Sequence, residues 1–418
     1  MSSVNENTCT EQGRSIPNGW VETTLGDIAF INPRESIKKG KIATNIPMAY
    51  LDSFSKKIQA FEKKEFKGGT KFRNGDTLMA RITPCLENGK TSYVDILEDD
   101  EIGFGSTEYI VLREKENLSD KHFLFYLSIS EKFRELAIKL MTGTSGRQRV
   151  QTNSLINRKL ILPKYEEQKA IANILTAFDD KIENLQAQNK TLEQTAQTIF
   201  KKWFDKYQVG DELPIGWSVG KLGDFNATIV DFVANGSFAS LKENVTLYEK
   251  PEYALFVRNT DLKSNFKEKR YVDEKSYEFL SKSKLFGGEI IISNVGDVGS
   301  VHFCPHFDIP MTLGNNVIML NSNFQAFFYT FFNSHIGQHL ISTITGGSAQ
   351  PKFNKTDFRN MSMVIPQDAI LNRFERIAST LYQKVFHNNN QIESLRQTRD
   401  TLLPKLMSGQ VRVNGYKD

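Results

Sequence analysis

The chain has 418 residues, which is too long for one ordinary hydrophobic core and predicts two domains of about 150 residues plus connecting segments. Its formal net charge of +4 comes from 53 basic and 49 acidic residues, so a strongly cationic tail is excluded and any nucleic-acid-binding surface must be local. The three cysteines, Cys9, Cys85 and Cys304, are odd in number and far apart, which argues against a disulfide framework and for a reducing, cytoplasmic compartment.

Residues 1–16 are predicted to form a polar tail. This segment lacks the basic and apolar regions of a signal peptide, and no later run reaches the roughly 18 apolar residues that a membrane span needs. We therefore expect a protein that is not exported and has no membrane partner.

Residues 17–163 are predicted to form a first mixed domain of sheet and helices. Short β-type runs alternate with Gly, Asn and Asp, and a helix is expected from Asp120 to Met141. A long helix follows over residues 164–207. Its apolar positions recur with the alternating spacing of four and three that is typical of a coiled coil. These positions, all apolar except Asn189, form the seam of the helix: Ile171, Leu175, Phe178, Ile182, Leu185, Asn189, Leu192, Ala196, Ile199 and Trp203.

The second half of the chain repeats the first, with a second domain over residues 208–366, a second long helix over 367–411 and a tail over 412–418. The opening Pro17–Ile28 returns as Pro214–Phe225, and the strand-like Gly75–Arg81 returns as Gly288–Asn294. The second helix carries the same seam. Its positions are Phe374, Ala378, Leu381, Val385, Asn388, Ile392, Leu395, Arg399, Leu402 and Leu406. The sequence therefore predicts a tandem duplication.

These elements predict an α+β fold with two tandem domains separated by two long helices that pair as an antiparallel coiled coil about a pseudo-twofold axis. The polar Asn189 and Arg399 on the seam favour this pairing, because polar core positions usually set register or partner. A rigid rod between two similar domains suits duplex DNA, whose major groove recurs every 34 to 36 Å, roughly, along the helix. The alternative is that each helix packs only against its own domain.

The chain resembles the specificity subunit of type I restriction-modification systems from Pro17 to about Val411. The resemblance rests on the two Pro-x-Gly-Trp openings, the Gly-Asp or Gly-Glu strands, the Thr-Gly-x-Ser loops and the two spacer helices. It implies that each domain is a target-recognition domain reading half of a bipartite double-stranded DNA site. It further implies that the helices dock two modification (methyltransferase) subunits and that restriction/translocase subunits join them. S-adenosylmethionine, ATP and Mg²⁺ are expected on those partners, with no cofactor on this chain.

Candidate DNA-contacting residues lie in matching places of the two domains. Arg can bond bidentately to guanine and Gln to adenine, whereas Ser and Thr suit phosphate. In the first domain the candidates are Arg81, Thr83, Lys90, Thr107, Thr144, Ser145, Arg147, Gln148 and Arg149. In the second they are Ser293, Asn294, Asn315, Ser348, Gln350 and Lys352. The alternative is that the loop residues are simply solvated and that Arg81 is a satisfied residue at a strand edge.

No catalytic or metal-binding residue is predicted. Gly89-Lys90-Thr91 ends like a phosphate-binding loop, but Pro84 stands where that motif requires Gly. His302, Cys304 and His306 alternate on one expected strand without a fourth ligand, so packing roles are favoured over zinc. A non-catalytic DNA-reading subunit is the favoured interpretation. A coiled-coil adaptor that binds only proteins and a stand-alone nuclease or methyltransferase are the alternatives.

Overall fold

The computed structural model describes residues 16–144, 146–225, 227–347, 349–413 and 415. The chain divides into two compact units. The first combines the described residues up to Leu185 with those from Asn390 onward, and the second is continuous from Gln186 to Asn389. The two long helices are therefore each shared between the units.

The first unit contains two four-stranded sheets and two short ribbons. The strands are β1 (Trp20–Thr24), β2 (Ala29–Ile31), β3 (Ile42–Ile46), β4 (Glu62–Glu65), β5 (Thr70–Phe72), β6 (Thr77–Ala80), β7 (Thr91–Tyr93), β8 (Gly103–Gly105), β9 (Tyr109–Glu114), β10 (Met141–Thr142), β11 (Arg149–Val150) and β12 (Lys159–Pro163). The sheets have the orders β2-β9-β6-β7 and β4-β3-β8-β5, and the ribbons are β1-β12 and β10-β11. The helices are α1 (Leu25–Ile28), α2 (Lys121–Ile129), α3 (Glu131–Lys139), α4 (Thr152–Ile156) and the start of α5 (Tyr165–Phe204).

The second unit repeats this plan with one strand more in its second sheet and, among the described residues, one ribbon instead of two. Its strands are β13 (Ser218–Lys221), β14 (Ala227–Asp231), β15 (Leu247–Tyr248), β16 (Ala254–Val257), β17 (Tyr271–Val272), β18 (Lys284–Leu285), β19 (Ile290–Ser293), β20 (Val301–Phe303), β21 (Met311–Leu313), β22 (Val317–Ser322) and β23 (Ser362–Ile365). They form the sheets β14-β22-β19-β20 and β15-β17-β16-β21-β18 and the ribbon β13-β23. The helices are α6 (Phe238–Asn244), α7 (Asn259–Lys263), α8 (Glu274–Phe279), α9 (Gln325–Phe332), α10 (His335–Ile344), α11 (Lys355–Asn360) and α12 (Asp368–Met407).

The matching strand orders confirm the duplication. In each unit the buried strand that follows the Gly-Asp or Gly-Glu motif, β6 or β19, lies between the repeated strand, β9 or β22, and an edge strand. Both motif strands are buried at every residue, which explains why they read as continuous apolar runs. The opening strands also correspond, since β1 pairs with β12 and β13 pairs with β23.

The helix predicted from Asp120 to Met141 is two helices. Ser130 lies between α2 and α3 with an extended backbone, and its hydroxyl donates to the carbonyl of Leu127 at 2.7 Å. A serine that bonds to nearby backbone competes with helix continuation, so the chain turns at this point. The apolar helix α2 is thereby buried in the core, whereas α3 is amphipathic.

The two 40-residue helices lie antiparallel and in contact within both units. In the first unit, Ile182 and Leu185 pack against Ile392. In the second, the rings of Phe204 and Phe374 lie 5.3 Å apart. The helices also bury apolar residues against their own domains, so both packing modes expected from the seam occur together.

The seam drifts from the strict seven-residue pattern. Phe178, Leu192 and Leu381 are only half-buried, and Asp179, Phe200, Phe204 and Tyr382 occupy buried positions instead. The cause is geometric, because a helix with 3.6 residues per turn rotates by about 20° per heptad and brings the following residue to the contact. Leu395, Leu402 and Arg399 are half-buried, whereas Leu175 and Val385 are buried.

Within the part of the chain described above, no helix combines the length and the apolar character that crossing a membrane requires.

Candidate nucleic-acid interface

Three segments far apart in the sequence of the first unit meet where β6 ends. The amide of Arg81 donates to the carbonyl of Glu108 at 3.0 Å, and the amide of Val150 donates to the carbonyl of Arg81 at 2.9 Å. The amide of Thr83 donates to the carbonyl of Gln148 at 3.1 Å. These backbone bonds define a first junction, formed by residues 81–83, 107–108 and 147–150, which brings most of the predicted residues of this domain together.

The first junction is organised around one carboxylate. Arg149 donates from Nε and Nη2 to Glu108 at 2.7 to 3.0 Å, in a two-pronged ion pair. Arg81 Nε lies 3.6 Å from Glu108 Oε2, which is beyond hydrogen-bond range. The hydrogen bonds from Arg149 hold the pKa of the Glu108 carboxyl below its usual range. With three guanidiniums, those of Arg81, Arg147 and Arg149, and one carboxylate, the first junction keeps a net charge of +2.

Sequence reasoning missed Glu108. It lies between the predicted Thr107 and the strand β9, but its partner Arg149 is 41 residues away. The sequence shows only that a charged residue directly precedes a buried strand, and it does not indicate with which residue Glu108 pairs.

The other predicted residues of the first unit differ in accessibility. Thr107, Thr144 and Arg147 are exposed, whereas Thr83 and Gln148 are half-buried. Lys90 is half-buried, and its ammonium donates to the carbonyl of Met48 at 2.9 Å. The predicted Ser145 lies outside the described residues.

The second unit has the same junction with different side chains. The amide of Asn294 donates to the carbonyl of Asn316 at 3.1 Å, and the amide of Phe353 donates to the carbonyl of Asn294 at 3.1 Å. The amide of Gly296 donates to the carbonyl of Pro351 at 2.9 Å. These bonds define a second junction, formed by residues 294–296, 315–316 and 350–353. Asn294, Asn316 and Lys352 take the places of Arg81, Glu108 and Arg149.

The second junction opens onto a cavity of about 660 Å³. Asn294, Asn315 and Lys352 line it together with Phe238, whose side chain is 78% exposed. Asn294 Nδ2 donates to the carbonyl of Phe353 at 3.0 Å, but its buried Oδ1 has no hydrogen-bond partner among the described residues. The cavity therefore presents amide groups and an aromatic face, together with an ion pair between Lys355 and Asp231 at 2.7 Å.

Two residues predicted to contact DNA in the second unit differ in burial. Ser293 ends the fully buried strand β19, is only 1% exposed and has its hydroxyl 3.4 Å from the carbonyl of Val295, so its side chain is not accessible to DNA in this structure. Gln350 is exposed at the second junction. The predicted Ser348 lies outside the described residues.

The predicted seam residues hold the two long helices together. Asn189 accepts a hydrogen bond from Asn388 and donates one to Asn389, both at 2.8 Å. Asp179 accepts from Arg399 on the opposite helix and from the Tyr126 hydroxyl of α2. Because these side chains already form hydrogen bonds within the chain, a partner subunit would have to bind the outward faces of the helices.

Each unit also has an apolar cleft at the same place in its fold. The clefts measure about 460 Å³ and about 380 Å³. The first is lined by residues that include Trp20, Phe133, Leu162 and Met407, and the second by residues that include Trp217, Ile336, Met363 and Phe204. Both clefts are lined mainly by apolar residues.

Fold and site together define a duplicated recognition protein with two equivalent junctions of different chemistry. A family model described as the type I restriction modification DNA specificity domain matches residues 17–194 and 214–397. Because these matches span most of the sequence, the chain belongs to the family of type I restriction-modification specificity subunits, whose domain specifies the DNA target.

Relatives and a solved structure agree with this assignment. The chain is 28% identical over 312 residues to the type I restriction enzyme MjaIX specificity subunit of Methanocaldococcus jannaschii, covering 70% of this chain and 69% of that protein. It is 23% identical over 479 aligned positions to the HindI specificity subunit of Haemophilus influenzae, covering 94% and 99%. The crystal structure of the type I restriction-modification S subunit from M. genitalium shares the fold, with a TM-score of 0.54, 20% identity and coverage of 93% and 96%.

Proposed function

We propose that each unit reads one half of a bipartite double-stranded DNA site and that α5 and α12 set the spacing between the half-sites. The observation that carries this proposal is the pair of junctions. Three backbone hydrogen bonds are repeated with nearly the same lengths, while the side chains change from Arg81 and Glu108 to Asn294 and Asn316. A common frame that displays different hydrogen-bonding groups is what two readers of different base sequences require.

The helices supply the second part of the proposal. Their seam is closed by packing and hydrogen bonds within the chain, so they form a firm spacer on which two modification subunits dock through outward-facing residues. In this assembly the chain provides recognition and no catalytic group. Methyl transfer to adenine and DNA cleavage belong to modification and restriction/translocase subunits, which carry S-adenosylmethionine, ATP and Mg²⁺. We place the assembly in the cytoplasm.

The test is selection of bound duplexes from a random library by the chain reconstituted with its modification subunits. We expect two short specified sequences separated by an unspecified spacer of fixed length. Affinity should fall steeply with salt, because phosphate contacts release counterions.

Variants at the two junctions make this test sharper. Substitutions in the first junction should alter one specified half only, and substitutions in the second junction the other half only. An assembled complex that enriches no sequence would support the adaptor function instead. Methylation by the purified chain alone, followed with labelled S-adenosylmethionine, would contradict the recognition-only role.

A further inference from the structure

Arg81 has an unused hydrogen-bonding group in the first junction. Its Nε is buried and has no hydrogen-bond partner among the described residues, although Glu108 Oε2 lies 3.6 Å away. Glu108 is instead bonded to Arg149 through both oxygens, while the Arg81 side chain keeps 31% of its surface exposed. A buried donor left unpaired in a native site calls for an explanation, and a bound ligand is one.

We infer that Arg81 reads a guanine in the half-site bound by the first unit, and that Glu108, braced by Arg149, positions the Arg81 guanidinium. This inference rests on the proposed function. Guanine presents two acceptors, O6 and N7, in the major groove, and they match the fork of a guanidinium. Adenine presents an amino group in place of O6, so its N–H donor would face an N–H donor of the guanidinium.

The carboxylate is what distinguishes a base contact from a phosphate contact here. Glu108 lies beside Arg81 and repels a phosphate, so it weakens phosphate binding relative to the same junction without the carboxylate. A neutral base edge is not repelled in this way. Glu108 also limits the directions in which the guanidinium can point, since Arg149 fixes the carboxylate from the other side.

The second unit provides the matched position. Asn294 replaces Arg81, and its Oδ1 has no partner within the described residues while Nδ2 donates to Phe353. An asparagine amide offers the acceptor and donor that fit adenine N6 and N7. The two residues at one position of the common frame thus have different base preferences, and exchanging them gives a direct test.

The experiment uses the chain reconstituted with its modification subunits and measures competition binding of duplexes that differ at single positions. For the wild type we expect one position of the first half-site at which guanine is preferred about tenfold or more over adenine. Arg81→Ala should abolish that preference, Arg81→Asn should move it toward adenine, and Arg81→Lys should keep most of the affinity but lose most of the discrimination. Arg158→Ala, an exposed arginine outside the junction, is the matched control.

Glu108→Gln tests the positioning role. It keeps the shape of the side chain but weakens its hold on both arginines, so discrimination at the same base should fall severalfold while overall affinity holds or rises. A loss of affinity that is equal for every sequence in Arg81→Ala, or an unchanged guanine preference in Arg81→Asn, would overturn the inference while leaving bipartite recognition in place. A wild-type complex without any sequence preference would overturn the proposed function itself.

Discussion

Arg399 of α12 donates a hydrogen bond to Asp179 of α5 from a position 220 residues further along the chain. The two side chains are only 12% and 6% exposed, and the Tyr126 hydroxyl donates to the other oxygen of Asp179 at 2.6 Å. This network joins both long helices to the first recognition domain. It explains why an arginine occupies a position that the heptad pattern assigns to the core.

Arg399→Met should destabilise the first unit by about 3 to 5 kcal/mol, because it leaves the buried Asp179 carboxylate without its cation. Hydrogen exchange of the α5 amides before Leu185 measures the effect in that unit. Arg376→Met, at an exposed position of the same helix, serves as the control and should change stability by less than about 0.5 kcal/mol. Equal protection in both variants would show that the buried pair is not needed.

Asn189 and Asn388 should behave as a coupled pair. Asn189→Ala leaves the Nδ2 group of the fully buried Asn388 without its acceptor, at a cost of about 1 to 3 kcal/mol. Replacing both residues with leucine should recover that loss, since two apolar side chains leave no buried polar group unpaired and the exposed Asn389 can bond to water. Urea unfolding of Asn189→Leu, Asn388→Leu and the double leucine variant gives the coupling energy, with the exposed Asn390→Ala as a control. Additive effects would refute the coupling.

Glu101 should make the first unit acid-sensitive. Burial raises its pKa, but hydrogen bonds from Thr44 and Lys63 outweigh burial and lower it from 4.5 to about 2. A carboxyl whose pKa is lowered by folding stabilises the folded state at pH values above its ordinary pKa of 4.5. That stability is lost as the pH falls from 4.5 toward about 2. At 1.36 kcal/mol per unit the contribution is at most roughly 3 kcal/mol.

The check is the urea midpoint measured at about pH 6 and about pH 3. Glu101→Gln should lower the midpoint at the higher pH and flatten the difference between the two. Glu87→Gln, at an exposed position, should keep the wild-type difference. If Glu101→Gln loses as much stability on acidification as the wild type does, the acid sensitivity arises from other groups.

Arg147 is exposed in the loop between β10 and β11, and Arg147→Ala should relax sequence preference in one half-site only. The measurement is library selection with the reconstituted complex, together with affinity at several salt concentrations. Lys164→Ala, an exposed cation outside the junctions, is the control. A uniform loss for all sequences, with the salt slope reduced by about one, would instead identify Arg147 as a phosphate contact.

The tandem duplication could be predicted from the sequence because the motifs that indicate it are local and occur twice. The Gly-Trp openings, the buried motif strands and the two helices all lie where the repeat placed them. The junctions were harder to predict, because their geometry depends on backbone bonds between distant segments. The sequence presents Arg81 and Arg149 as separate candidates, and only the fold shows that Glu108 lies between them.

Burial also explains where the structure differs from these expectations. Ser293 has the residue type of a DNA contact but ends a strand that is buried at every position. Phe178 and Leu192 fit an exact heptad, yet the rotation of a real helix moves them toward its flank.

The first unit is built from two distant stretches of chain, and this has a consequence for biosynthesis. A ribosome completes residues 186–389, all of the second unit, before it makes the returning half of α12. Until Leu406 emerges, Ile171 and Leu175 lack part of the core that they share with it. A premature stop codon after residue 389 would therefore leave the second unit complete but remove part of the first unit's core.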